Sequence, residues 1–107
     1  MHNYKFRGQN ALGQWHTGYL IIKNKACYIR HHGLESYVFN TTVGQFTGLK
    51  DIKGIEIYHG DIVLYKKMPF TILWDKGTCS FRLFGTNQSY PLLNDLKLKV
   101  INNIYNK

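Results

Sequence analysis

The residues in this chain best suited to chemistry are Cys27, His31 and His32, which read Cys-x3-His-His, and the aspartates Asp51 and Asp61. A thiol with imidazoles is a metal-ligand set, and a Cys–His pair is the minimum of a thiol nucleophile. Neighbouring strand residues point to opposite faces, so His31 and His32 can share one ion only from a loop. No third group that would orient a Cys–His pair is evident. Two aspartates can divide acid and base work only if they converge in a cleft. Here Asp51 precedes Gly54 by three residues and Asp61 follows Gly60, settings where an aspartate accepts from nearby backbone amides and shapes a turn. Gly44, Gly48, Gly54 and Gly60 lack the spacing of a phosphate-cradling loop, and no helix follows them. The structural reading therefore wins at each position. Gly44, Gly48, Asp51, Gly54, Gly60 and Asp61 are expected to form a turn motif, with no catalytic residue, metal ligand or cofactor site.

The remaining candidates are cations and aromatic rings. The 107 residues carry 14 Lys and Arg against 6 Asp and Glu, a net charge of +8. A positive field of that size favours polyanions. The cations are spread singly along the chain, and only Lys66-Lys67 are adjacent, which is the pattern of a solvated surface. Strands can nevertheless gather distant residues onto one face. Most of the aromatics, among Tyr19, Tyr28, Tyr37, Tyr58, Tyr65, Phe70, Trp74, Phe81, Phe84 and Tyr105, are expected in the core. Some tyrosines on a face with Arg30, Lys66, Lys67 or Arg82 are the expected contacts if the partner is a nucleic acid. The same exposed rings would suit self-association.

These residues must be positioned by strands. Aromatic residues make up 15% of the chain, and the apolar share of 44% supports one folded core. Strands are expected at 4–7, 14–22, 26–30, 36–40, 55–57, 62–66, 70–75, 79–84 and 96–100. Phe6 should point inward. Trp15, Thr17, Tyr19 and Ile21 should share one face, and Gly18 should mark a bulge or bend. Cys27 and Ile29 should face away from Tyr28 and Arg30. Residues 41–46 read as extended, Gly54 as a left-handed turn position, and Pro69 as a strand start or edge. The spacing of Leu92, Leu93 and Leu96 predicts one short helical turn over 91–96. Cys27 and Cys79 form no CxxC motif and are expected as small buried side chains in a reducing compartment. Met1 to Arg7 contains no apolar core of a signal peptide, and no apolar run is long enough to span a membrane.

The middle of the chain, Gly44-Gln45-Phe46-Thr47-Gly48-Leu49-Lys50-Asp51, then Gly54, then Glu56-Ile57-Tyr58-His59-Gly60-Asp61-Ile62-Val63, resembles the signature of the YopX family of phage and prophage proteins. That signature reads G-Q-[YF]-T-G-L-K-D-x-x-G-x-x-I-[YF]-E-G-D-I-V. His59 stands where the family has an acidic residue. Weaker likenesses flank it: Lys5-Phe6-Arg7, Trp15-His16-Thr17-Gly18-Tyr19-Leu20, Trp74-Asp75 with Phe81, and Asn102-Asn103-Ile104-Tyr105-Asn106. The resemblance implies an all-β fold with a small SH3-like barrel (43–107) and an additional N-terminal β portion (1–42) within one domain. It also implies coding by a phage or prophage. It supplies no catalytic activity and no cofactor.

Together these features point to a non-enzymatic phage accessory protein in the host cytoplasm. It would act through contacts with a host or phage protein or through self-association, without a membrane. A nucleic-acid-binding module using the basic, aromatic surface is the alternative.

Overall fold

The computed structural model describes residues 5–105. Tyr4, which opens the first expected strand, and Asn106 of the closing motif lie outside them. The described chain is all-β, with eleven strands: β1 (Lys5–Gln9), β2 (Trp15–Lys23), β3 (Ala26–His31), β4 (Leu34–Val38), β5 (Gly44–Lys50), β6 (Glu56–Tyr58), β7 (Asp61–Tyr65), β8 (Met68–Asp75), β9 (Ser80–Phe84), β10 (Ser89–Pro91) and β11 (Lys99–Asn103). The chain divides into two compact units, residues 1–46 and 47–107, and β5 carries it from one to the other.

In the N-terminal unit the strands run in the order β4-β3-β2-β1-β5, each pair antiparallel. Two-residue loops set the register. Asn24 and Lys25 join β2 to β3, His32 and Gly33 join β3 to β4, and all four take positive φ. Tight hairpins of this length need that geometry, because only the mirror-image turns match the right-handed twist of the strands. Cys27, Ile29 and Val38 form the buried core, packed by Phe6, Leu20 and Val43. The expected alternation holds: Phe6 packs inward, and Cys27 and Ile29 face away from Tyr28 and Arg30.

Gly18 is not a bulge. Phe6, Gly18 and their neighbours stay in unbroken register, and the glycine instead allows the Arg30 carbonyl of β3 to approach too closely for any Cβ. Residues 40–42, expected to be extended, form a 3-10 turn. Thr42 explains it: its hydroxyl donates to the Phe39 carbonyl at 2.6 Å and accepts from the Gln9 amide at 2.8 Å, which folds the chain back onto β1.

In the C-terminal unit the order is β10-β9-β8-β7-β11, again antiparallel. The last strand returns beside the first, and among the described residues no pairing joins the outer strands β10 and β11. The core is Ile57, Val63, Phe70, Ile72, Leu83 and Leu98. Over 91–96 the chain makes a single tight turn rather than a helix. The Leu92 amide is taken by the Phe81 carbonyl, the Leu96 amide then donates to the Leu93 carbonyl at 3.4 Å, and Leu92 and Leu96 pack against the core. Cys79 is exposed rather than buried, because it sits in the β8–β9 turn at a φ of 52°. Cys27 and Cys79 are both free thiols. No helix among the described residues is long and apolar enough to cross a membrane.

The loop from β7 to β8 is Lys66-Lys67, both at positive φ. Lysine is a poor choice there, since a Cβ at left-handed φ costs free energy that glycine avoids and asparagine reduces. Replacing Lys66-Lys67 by Asn-Gly is expected to stabilise the unit by about 1 kcal/mol. A rise in the urea midpoint at constant slope would show it, and an unchanged or lower midpoint would contradict it.

Candidate nucleic-acid interface

Pairing register decides which side chains share a face, since residues directly opposite on adjacent strands project together. On the outer face of the N-terminal sheet, Tyr19, Arg30 and Glu35 form one row across β2, β3 and β4. Ile21, Tyr28 and Tyr37 form the next, and Lys23 lies beyond, opposite Ala26. Lys5, Arg7 and Trp15 extend the face onto β1 and the start of β2. Tyr19 is 61% exposed and Tyr37 51%. Tyr28 and Tyr37 meet edge to face at 5.8 Å. The cations sit over rings: Arg7 over Trp15 at 4.6 Å, Lys5 over Phe46 at 5.3 Å and Lys23 over Tyr28 at 5.6 Å.

Glu35 is the only carboxylate side chain in residues 1–46. It binds both Lys23, at 2.7 Å, and Arg30. The hydrogen bonds from Lys23 and Arg30 hold its carboxyl below the usual range. Exposed ion pairs of this kind hold little free energy, so a phosphate can replace Glu35 on either cation cheaply. Chemically, the face offers flat rings for stacking beside cations for phosphate.

The cations expected from the sequence fall in both units, and within the C-terminal unit Lys66-Lys67 and Arg82 lie apart. Arg30 belongs to the face just described. Lys66 and Lys67 are exposed at the β7–β8 tip, and the Lys66 ammonium lies 5.3 Å from the Tyr65 ring. Arg82 lies along β9, opposite Leu73 and donating to the Ser89 hydroxyl at 3.0 Å. Leu73 is five residues along β8 from Met68, roughly 17 Å of strand. Sequence reasoning missed Lys23, Trp15 and the lysine and arginine of β1. A signal was present: Tyr-x-Ile-x-Lys, Tyr-x-Arg and Glu-x-Tyr alternate at period two, and two-residue hairpin loops would have aligned them.

The turn motif does structural work. Asp51 Oδ1 accepts from the amides of Lys53 at 2.8 Å and Ile55 at 2.9 Å, and Oδ2 accepts from the Val100 amide of β11 at 3.0 Å. Burial pushes its pKa up, but those three amides outweigh it and hold the carboxyl below its ordinary value. Asp61, 1% exposed, accepts from the Tyr58 amide at 2.7 Å. Gly60 donates to the Ile72 carbonyl and accepts from the Ile104 amide. Gly54 closes the Asp51 turn by donating to its carbonyl at 3.0 Å. Gly44 and Gly48 lie within strand β5 rather than in a turn. His59 Nδ1 accepts from the Trp74 amide at 3.0 Å, a task that a carboxylate oxygen can also perform.

His31 and His32 stack edge to face at the β3–β4 turn, while Cys27 is buried in the core. Four residues of strand separate Cys27 from His31, roughly 13 Å, against metal–ligand bonds of about 2 Å. Among the described residues no three His, Cys, Asp or Glu side chains gather as a metal site.

No curated protein matches the chain. The family model described as YopX protein matches residues 9–107, nearly the full length, and so the chain belongs to the YopX family.

Proposed function

We propose that the outer face of the β1–β4 sheet binds single-stranded nucleic acid. The observation that carries this is the gathering of Tyr19, Tyr28 and Tyr37 with Lys23 and Arg30 on one sheet face, from three consecutive strands. Bases stack on such rings with little sequence preference, and the cations track the backbone. On this reading the protein is a non-enzymatic phage or prophage accessory protein of the host cytoplasm. The C-terminal unit would be an SH3-like barrel, supported by the return of its last strand beside its first.

The test is fluorescence anisotropy with a mixed-sequence single-stranded oligonucleotide at low ionic strength. Binding should weaken linearly on a log–log salt plot, by about 0.7 in slope per phosphate neutralised. Tyr19→Ala and Tyr37→Ala should each weaken it by about 5- to 100-fold, the range of one lost stacking contact. Arg30→Ala should lower the salt slope by roughly one phosphate contact. Absence of salt-sensitive binding, or indifference to both tyrosine substitutions, overturns the proposal.

Contact with a protein partner is the second reading, favoured by the same exposed tyrosines beside an arginine, the residues that dominate interface energetics. Pull-down from host cells with and without nuclease separates the two. A partner that survives nuclease supports the second reading, and nucleic-acid-dependent recovery supports the first.

A further inference from the structure

Sheets that end in an unpaired strand need protection, because a row of free amides and carbonyls will pair with another chain. Four described strands lie at the ends of the sheet orders, and three are guarded. β6 and β10 are only three residues long, and β10 ends in Pro91, which has no amide to donate. β11 carries Lys99 and an irregularity in register between Val100 and Asn102. β4, Leu34-Glu35-Ser36-Tyr37-Val38, has none of these devices. It is five residues of regular strand without proline, lysine, glycine or bulge, and Leu34 on it is 73% exposed.

We infer that β4 pairs antiparallel with β4 of a second copy of this chain, joining two N-terminal sheets into one. The strand complements itself. The register that pairs all five residues centres on Ser36, and sets Leu34 opposite Val38 and Glu35 opposite Tyr37. No like charges then face each other, which a register centred on Glu35 would force. The twofold axis of such a pair is perpendicular to the sheet, so the two outer faces lie side by side on the same surface. If that face binds nucleic acid as proposed above, pairing doubles its length; the pairing itself does not depend on that reading.

The test needs no ligand. Sedimentation of the full chain, from low to high micromolar, should show mass rising from one copy to two. Glu35→Pro removes an amide that points to the free edge, because in the two-residue hairpin Leu34, Ser36 and Val38 bond β3 and Glu35 and Tyr37 point away from it. Leu34→Lys adds the missing guard on an exposed position. Each should raise the dimer dissociation constant by about tenfold or more. Because Glu35→Pro also removes the partner of Lys23 and Arg30, Ser36→Cys in a Cys79→Ser background gives an independent readout. It would place two Cβ atoms about 5 Å apart across the axis, near disulfide reach, so mild oxidation should give a covalent dimer. A monomer at every concentration, or a dimer indifferent to Leu34→Lys and not trapped by Ser36→Cys, overturns the inference. Failure here with oligonucleotide binding intact would sink the pairing and leave the proposed function standing.

Discussion

Replacing Asp51 by alanine is expected to lower the stability of the C-terminal unit by about 3–5 kcal/mol, since three backbone amides lose their acceptor at once. Two of those amides, Lys53 and Ile55, shape the turn between β5 and β6. The third, Val100, belongs to β11, 49 residues away. The turn is further tied to the end of the chain by the Ile52 amide, which donates to the Leu98 carbonyl at 3.0 Å. One carboxylate therefore closes a local turn and fastens the last strand to it. Asp51→Asn keeps one acceptor oxygen and should cost less than alanine. Urea denaturation in a Trp15→Phe background, with Trp74 reporting on the C-terminal unit, measures both. A change below about 1 kcal/mol for alanine would remove Asp51 from the structural account.

The same carboxylate gives stability a pH dependence of definite sign. Its pKa in the folded state lies below the ordinary 3.8. The contribution is therefore complete above the unfolded value and is lost as pH falls from about 4 through the lowered folded pKa. Asp51→Asn should flatten the acid limb of the stability profile and leave neutral pH behaviour unaltered apart from a constant offset. Glu35, bonded by Lys23 and Arg30, and Asp75, bonded first by the Thr78 hydroxyl, shift in the same direction but are exposed, so their share is smaller.

Strand identity was legible in the sequence because alternation is a local property. Tyr28 and Arg30 opposing Cys27 and Ile29 needs only the period of two. Register was not legible, because it depends on loop length to the residue. Reading 23–25 as a three-residue break left open which tyrosines join Arg30. The leucines of 91–96 were legible only in part. Their spacing marked the turn that the Leu96 amide closes on the Leu93 carbonyl, but not the Phe81 carbonyl, distant in sequence, that takes the Leu92 amide and holds the segment's start against β9. Cys79 misled because turn residues and strand starts look alike where Thr and Ser flank them. The family signature, by contrast, marked the residues that hold the C-terminal unit together. It placed Asp51 in a turn but could not reveal Val100 as its third partner.

The two glycines at crowded positions should separate in a direct comparison. Gly18→Ala is expected to cost the N-terminal unit about 3 kcal/mol, because the atom in the way is the backbone carbonyl of Arg30. Nothing can give there except the β2–β3 pairing itself, so Tyr19 and Arg30 would move apart and the candidate face would lose its first row. Gly60→Ala should be milder, about 1–2 kcal/mol for a side chain at a φ of 93°. The atoms it would meet are Tyr105 Cε2 at 2.8 Å and the Tyr105 hydroxyl at 3.2 Å, the far end of a ring that can swing away. Denaturation followed through Trp15 for Gly18→Ala and through Trp74 for Gly60→Ala ranks them. Oligonucleotide binding adds a second readout that stability alone does not fix. Under conditions where Gly18→Ala remains folded, it should still bind weakly, while Gly60→Ala should bind as the parent does. The reverse order in stability would mean that the β2–β3 hairpin tolerates a register opening at Gly18. Tyr19 and Arg30 would then not be held as one row, and the candidate face would lose the geometry on which its function depends.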